Sequence, residues 1–350
     1  MDYNYYLKQN HNNKKTRDDK MKKTFTCFTF YILFSFLLFA EGRISGKVFY
    51  NYTTNLDTSG ILNSANGFNM KRAYLTFKND VNETMSYQVT YDMGNNNNGS
   101  AHTAFLKIAS ATWKTRYGDI SIGMQGMNMF KTMENTWGYR FIQKMPMDTY
   151  GFSPSADLGI GLTRKIGSIS TKALLTNGGG YKRNENDKYK KVSLHIVYGE
   201  PKLNKKDGFN IGSSLSIEPH NIQSRNKDER LVTGVFTGFS SSRFRVGAEF
   251  DTKQERNNIS SDDGAVVTSQ IICAYGTYKI SKNVSLLTRI DLINQNTSKI
   301  LENLSRVNYD GTKVFIAGIQ YMIDKSLIVA PTFRSTILKE GDTENKIVLN

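Results

Sequence analysis

The sequence predicts an all-β fold: a transmembrane, antiparallel, up-and-down β-barrel of about sixteen strands with an inward-folded constriction loop. Three observations predict it. From residue 43 onward, segments of about ten residues alternate apolar and polar side chains. The connections between these segments alternate in length, short then long. Finally, one apolar run stands near the start, and nothing after it has the pattern of a long buried helix.

That run lies in Met21–Gly42, MKKTFTCFTFYILFSFLLFAEG. Lys22 and Lys23 precede Phe28–Phe39, a stretch of signal-peptide length and shorter than the roughly 20 residues a spanning helix needs. Leu38-Phe39-Ala40 offers a cleavage site. Residues 21–40 therefore read as a signal peptide, residues 1–20 as a start-site artefact, and residues 41–350 as one outer-membrane barrel. The competing reading is an N-terminal membrane anchor with a cytoplasmic tail. Cys27 falls inside the signal and Cys273 stands alone after it, so no intrachain disulfide can form. The formal charge is +15, and residues 1–40 hold seven Lys/Arg against three acids, so the exported part stays strongly basic. Such a balance fits nucleic acid, an anionic membrane surface or an anion pathway. Export removes nucleic acid from that set.

Sixteen candidate strands lie near 43–56, 67–78, 84–93, 104–114, 119–128, 156–165, 168–177, 188–199, 208–218, 230–240, 242–252, 265–280, 283–294, 312–322, 325–338 and 345–350. Seven short connections, such as TRYGD, RKIGS and ISKN, follow even-numbered strands. Longer polar ones, such as GNNNNGSAH, EPHNIQSRNKD and TKQERNNISSDDG, follow odd-numbered strands. An up-and-down barrel with turns in the periplasm and loops outside gives this order. A Greek-key sandwich places its long connections irregularly. Met85–Met93, MSYQVTYDM, shows the face chemistry: Met, Tyr and Val on the lipid side, Ser86, Gln88, Thr90 and Asp92 on the wet side. The last strand, within NKIVLN, is too short to cross an apolar band of about 25 Å, and is expected to be truncated by a few residues.

Sixteen strands enclose a water-filled lumen. The longest connection, Met129–Ser155, is too rich in aromatics and methionines to be a solvated external loop. It is expected to fold inward and narrow the pore. The basic candidates for the pore lining and constriction are Arg72, Arg245, Arg289 and Arg334 on the wall, with Lys131, Arg140 and Lys144 in the loop. Asp92, Glu249 and Asp291 share the wet face, and Arg289 with Asp291 forms a candidate same-face pair. This mixed lumen favours a broad channel over one tuned to a single solute.

Trp137–Asp148 (WGYRFIQKMPMD), Ser155–Leu162 (SADLGIGL), Gly67–Met93 and the strand end Gly123-Met124-Gln125 resemble the phosphate-selective porin O and P family. The resemblance is clearest over residues 43–165. It implies a sixteen-stranded trimeric porin with an inward loop after the fifth strand and diffusion of small anionic or polar solutes. The implied partners are membrane lipid, lipopolysaccharide, the solutes and two further copies of the chain in a homotrimer.

No catalytic or cofactor motif competes with this reading. His195 sits mid-strand on the wet face without a nucleophile motif, His102 and His220 fall in predicted loops, and the acidic run Ser260–Gly264 reads as a solvated loop rather than a calcium site. The sequence therefore predicts a non-enzymatic outer-membrane porin for small hydrophilic solutes, with an anion preference as its finer form. The alternative is a non-conducting surface barrel whose long loops bind a partner.

Overall fold

The structure is a computed structural model that describes residues 42–56, 66–94, 102–185, 188–222, 226–256, 266–294, 311–338 and 343–350. The expected start-site segment, signal peptide and acidic run at 260–264 lie outside the described residues. Sixteen strands are present among them. In chain order they are β1 (Arg43–Asn55), β2 (Gly67–Asp80), β3 (Met85–Gly94), β4 (Thr103–Thr115), β5 (Gly118–Gly126), β6 (Ala156–Ile166), β7 (Ile169–Thr176) and β8 (Lys191–Gly199). They continue as β9 (Gly208–Ile222), β10 (Asn226–Ser240), β11 (Phe244–Arg256), β12 (Val266–Lys279), β13 (Val284–Asn294), β14 (Thr312–Met322), β15 (Ile328–Val329 and Pro331–Ile337) and β16 (Thr343–Leu349). Two short helices, α1 (Lys131–Trp137) and α2 (Pro146–Thr149), stand between β5 and β6.

Every strand pairs antiparallel with its sequence neighbours, and β16 returns to β1 through Tyr52↔Leu349 to Asn55↔Lys346. Closure matters because lipid offers no partner to a free backbone N–H or C=O. The break in β15 has a simple cause. Pro331 has no N–H to donate to a ladder, and Ala330 beside it instead exchanges both backbone bonds with Asn350, at 2.9 and 3.1 Å.

The two-residue period dictates the faces. In β8, Val192, Leu194, Ile196 and Tyr198 are exposed on the lipid side, while Lys191, Ser193, His195 and Val197 are buried inside. The turns follow local chemistry. Gly167 adopts φ 56° in the turn that joins Ile166 to its partner Ile169, a conformation glycine takes without a Cβ penalty.

Three features differ from the sequence expectation. EPHNIQSRNKD is expected as a long loop, yet β9 and β10 extend into it from either side and pair as far as Ile222↔Asn226, so His220 stands in a strand. The other two are bulges. The β1–β2 register shifts between Phe49 and Tyr50, which leaves Lys71 as the extra residue of β2. The β3–β4 register shifts between Thr90 and Tyr91, which leaves Lys107 as the extra residue of β4. A bulge puts two successive residues on one face. Each of these leaves a lysine facing inward next to another inward residue, Lys71 beside Arg72 in one strand and Lys107 beside Ile108 in the other.

Candidate functional site: a basic constriction

The segment after β5 folds into the lumen. Its apolar side chains Met129, Met133, Trp137, Met145, Met147 and Phe152 are buried against Val232, Phe236, Ile271, Tyr275, Leu287 and Ile316 of the wall. This cluster is the hydrophobic core of the barrel, and it lies to one side of the lumen.

Polar anchors fix the loop along its length. Asn128 donates to the Lys172 carbonyl (2.6 Å) and accepts from Ser193 (2.9 Å). His195 Nε2 meets Thr132 Oγ1 at 2.8 Å, and its Nδ1 meets Ser214 Oγ at 2.8 Å. Ser214 spends its own proton on the Met129 carbonyl (2.6 Å), so the imidazole is assigned as the Nδ1–H tautomer. His195, stacked on Phe236, thus holds the loop. Helix α1 ends on Gly138, whose φ of 77° lets its N–H return to the Glu134 carbonyl (2.8 Å). Tyr275 and Arg245 bind the Met133 and Trp137 carbonyls at 3.2 and 3.1 Å. At the loop tip, Lys71 donates to the carbonyls of Phe141 (3.3 Å) and Ile142 (3.1 Å), and Arg334 to Gln143 Oε1 (2.9 Å).

The loop's polar face carries a string of ion pairs. Lys131 bonds Glu134 at 2.6 Å; Arg140 bonds both Glu134 and Asp148, the latter at 2.9 Å; Lys144 lies 3.5 Å from Asp148. Burial acts to raise the Glu134 carboxyl pKa, but Arg140 and Lys131 outweigh it and hold the group below its ordinary value. Burial likewise opposes the Arg140 charge, and Glu134 and Asp148 more than restore it, which raises the guanidinium pKa.

The opposite wall centres on Asp92. Its side chain is 0% exposed and receives Arg72 (3.2 Å), Lys107 (3.2 Å) and the Tyr181 hydroxyl (2.8 Å). The Lys107 ammonium sits between the rings of Tyr74 and Tyr181, 5.0 and 5.2 Å from their centroids. Lys182, in the connection after β7, has its pKa lowered first by burial and then by Arg72, Lys144 and Lys107, against the pull of Asp92. Loop and wall bases are therefore close enough to feel one another. Beside the loop tip, a cavity of about 480 Å³ is lined by Lys71, Arg334, Lys346 and Glu344, among others.

The seven sequence-predicted basic residues separate by setting. Lys131, Arg140 and Lys144 belong to the loop's ion pairs, Arg72 to the Asp92 cluster, and Arg334 to the lining of the cavity just described. Arg245 stands beneath the loop, over the Tyr139 ring at 5.7 Å. Arg289 is sealed: its side chain is 0% exposed, its guanidinium bonds Asp291 twice (2.7 and 2.9 Å), and Trp137 covers it at 5.4 Å. The expected Arg289–Asp291 pair is present. The mixed lumen needs correction, because none of its three acids is free at the surface. Asp92 and Asp291 are fully buried and paired, and Glu249 is buried beneath the loop beside Cys273. Among the described residues, Asp251, also 0% exposed, has no hydrogen-bond partner for either carboxylate oxygen.

Sequence reasoning missed Lys71 and Lys107, because strict alternation from either end of a strand gives no sign of a bulge. It also missed Lys182 and Lys346. Two short motifs that carried the family resemblance have a physical role. A Cβ on Gly159 would sit 2.1 Å from the Leu175 carbonyl oxygen, and one on Gly123 2.3 Å from that of Ala109. Gln125 donates to the Gly159 carbonyl (3.0 Å), and Asp157 accepts from the Gly178 N–H (2.6 Å). The motifs fix β5 and β6, the two strands from which the loop departs and to which it returns, to each other and to β4 and β7 on either side.

Comparisons with known proteins agree with this architecture. OmpF of Salmonella typhi, in complex with daunomycin, superposes with a TM-score of 0.64 at 11% identity, covering 88% of this chain and 96% of that one. The anion-selective porin of Comamonas acidovorans gives 0.64 at 10% identity, with coverage of 88% and 98%. OmpT of Vibrio cholerae, in its trimer form, gives 0.57 at 12% identity, with coverage of 88% and 98%. No curated protein matches by sequence. The model of the family described as phosphate-selective porin O and P matches residues 43–259. With that match over more than half its length, the chain belongs to the phosphate-selective porin O and P family.

Proposed function

We propose that this outer-membrane porin, a passive channel for small hydrophilic solutes, prefers anions and is narrowed by the loop between β5 and β6. One observation supports the preference. Around the loop and its facing wall, Lys71, Arg72, Lys107, Lys144, Lys182 and Arg334 outnumber acids that are themselves engaged, Asp92, Glu134 and Asp148 in ion pairs. In a narrow passage with low-dielectric walls, an excess of one sign concentrates the opposite ion. The Comamonas acidovorans relative is described as anion-selective, which points the same way. Phosphate itself is not assigned: the bases are spent partly on protein carbonyls and carboxylates.

The working assembly in this reading is a homotrimer, as the Vibrio cholerae relative was solved in a trimer form. Lipopolysaccharide would face its loop-side rim, and the channel role requires no chemistry on the solute. The test is the zero-current potential of the reconstituted protein across a potassium chloride gradient. A sign set by chloride supports the proposal, and one set by potassium refutes it. Mass measurement of the detergent-solubilised protein tests the trimer, and a monomer mass at all concentrations would exclude it.

A further inference from the structure

The short turns lie on one rim of the barrel, the periplasmic rim of an outer-membrane barrel, and their charge is unevenly distributed around it. Five consecutive turns join β4 to β5, β6 to β7, β8 to β9, β10 to β11 and β12 to β13. Residues 114–119, 164–170, 200–207, 241–243 and 279–283 there hold ten Lys/Arg against three acids. All ten bases are exposed. Among the described residues, the ten form one ion pair, Lys206 with Glu200 at 3.8 Å. The other two turns are different. Between β2 and β3, Asp80 is taken by Arg43 (2.8 Å) and Lys78 (3.5 Å), with Glu83 beside them. Between β14 and β15 stand one acid and one base, Asp324 and Lys325. The rim is a basic arc of five turns and a neutral sector of two.

The height of the arc identifies what it meets. Trp113, Tyr117, Ile166, Tyr198, Phe209 and Tyr278 are exposed large apolar side chains at the same strand ends. Aromatic side chains with a polar edge sit where hydrocarbon meets headgroup. Arg164 projects on the lipid side of β6, in register with Leu162 and Ile166, and the turn lysines have long stems that reach from that boundary into water. Unpaired cations at headgroup depth attract anionic lipid, and the attraction fades within about 8 Å in physiological salt.

We propose that this basic arc is a binding surface for anionic phospholipid headgroups of the periplasmic leaflet, and that the neutral sector is not. The arc residues named lie outside the constriction, so lipid binding is read separately from ion selectivity.

The full-length protein, reconstituted in nanodiscs of phosphatidylethanolamine containing a minority of phosphatidylglycerol, tests this by mass spectrometry of the lipid that remains with it. Wild type should enrich phosphatidylglycerol about fivefold over the bulk mixture. An arc variant, Arg164→Gln with Lys165→Gln, Lys205→Gln and Lys206→Gln, should lose at least half of that enrichment. A control in the neutral sector, Lys78→Gln with Lys325→Gln, should keep it. Heat-modifiable gel mobility confirms that each variant has formed its barrel. No enrichment by wild type, or equal loss in arc and control variants, overturns the proposal. So does unchanged lipid enrichment in the arc variant accompanied by lost co-sedimentation with peptidoglycan sacculi, which would assign the arc to the cell-wall polymer instead.

Discussion

Asp92 and Arg140 show how little of a residue's role follows from its position in an alternating strand or loop. Asp92 reads from sequence as an acid exposed to the lumen; in the fold it is enclosed by Arg72, Lys107 and Tyr181, and its charge is compensated. Glu134 behaves alike toward Arg140 and Lys131. Its carboxyl titrates below its ordinary value of 4.5 in the folded protein. A depressed carboxyl contributes stability that is complete above the unfolded value and is lost as pH falls through the folded one. Anion selectivity should therefore stay level from neutral pH down to about pH 5, then rise in more acidic solution as Glu134 releases Arg140. Zero-current potentials measured across that range check this; a steady drift between pH 7 and 5 would contradict it. Arg140→Ala should weaken anion preference and leave Glu134 and Asp148 with one base each, so cation permeability should increase. Asp251 gives a stability prediction. A buried carboxylate without a partner costs free energy, and Asp251→Asn should leave the thermal midpoint unchanged or raise it.

At the scale of elements, the strands and the loop were legible in the sequence because their signals are long. A two-residue period repeated over ten positions, and a rhythm of connections repeated around the whole chain, tolerate local exceptions. Thus all sixteen strands are found where expected, to within a few residues, apart from the longer β9–β10 hairpin. The inward loop was legible from its composition, since methionines and aromatics in that number need a surface to cover. The bulges were not, because one inserted residue changes the facing of Lys71 and Lys107 while leaving the surrounding pattern intact on either side. Burial beneath the loop was equally invisible, which is why Arg289 reads as a pore residue in the sequence and as a sealed one in the fold. Two outcomes follow. Trp137→Ala empties the centre of the loop's packing and should cost about 3–5 kcal/mol of folding stability, with noisier, larger single-channel currents as the loop loosens; quiet currents of wild-type size would contradict the packing role. Deleting Lys107 outright should remove the bulge and restore a regular ladder, so the barrel should still form, as judged by heat-modifiable mobility.

At the scale of the whole molecule, charge is arranged by depth. The lipid wall is apolar, the turn rim carries its basic arc, and the constriction gathers bases from β2, β4, β15, the loop and the segment after β7. Closure of the sheet and packing of the loop against one wall create the remaining passage, and two bulges supply it with lysines that a regular barrel would have turned outward. The most direct test is the zero-current potential of the Lys71→Ala/Lys107→Ala protein against wild type in the same potassium chloride gradient. The account predicts an anion-preferring wild type, whose anion-to-cation permeability ratio falls by at least about fivefold in the double variant, since about 1 kcal/mol for each unit charge at close approach in water corresponds to about fivefold and two charges are removed. Identical potentials for the two proteins, or a cation-preferring wild type, would contradict it.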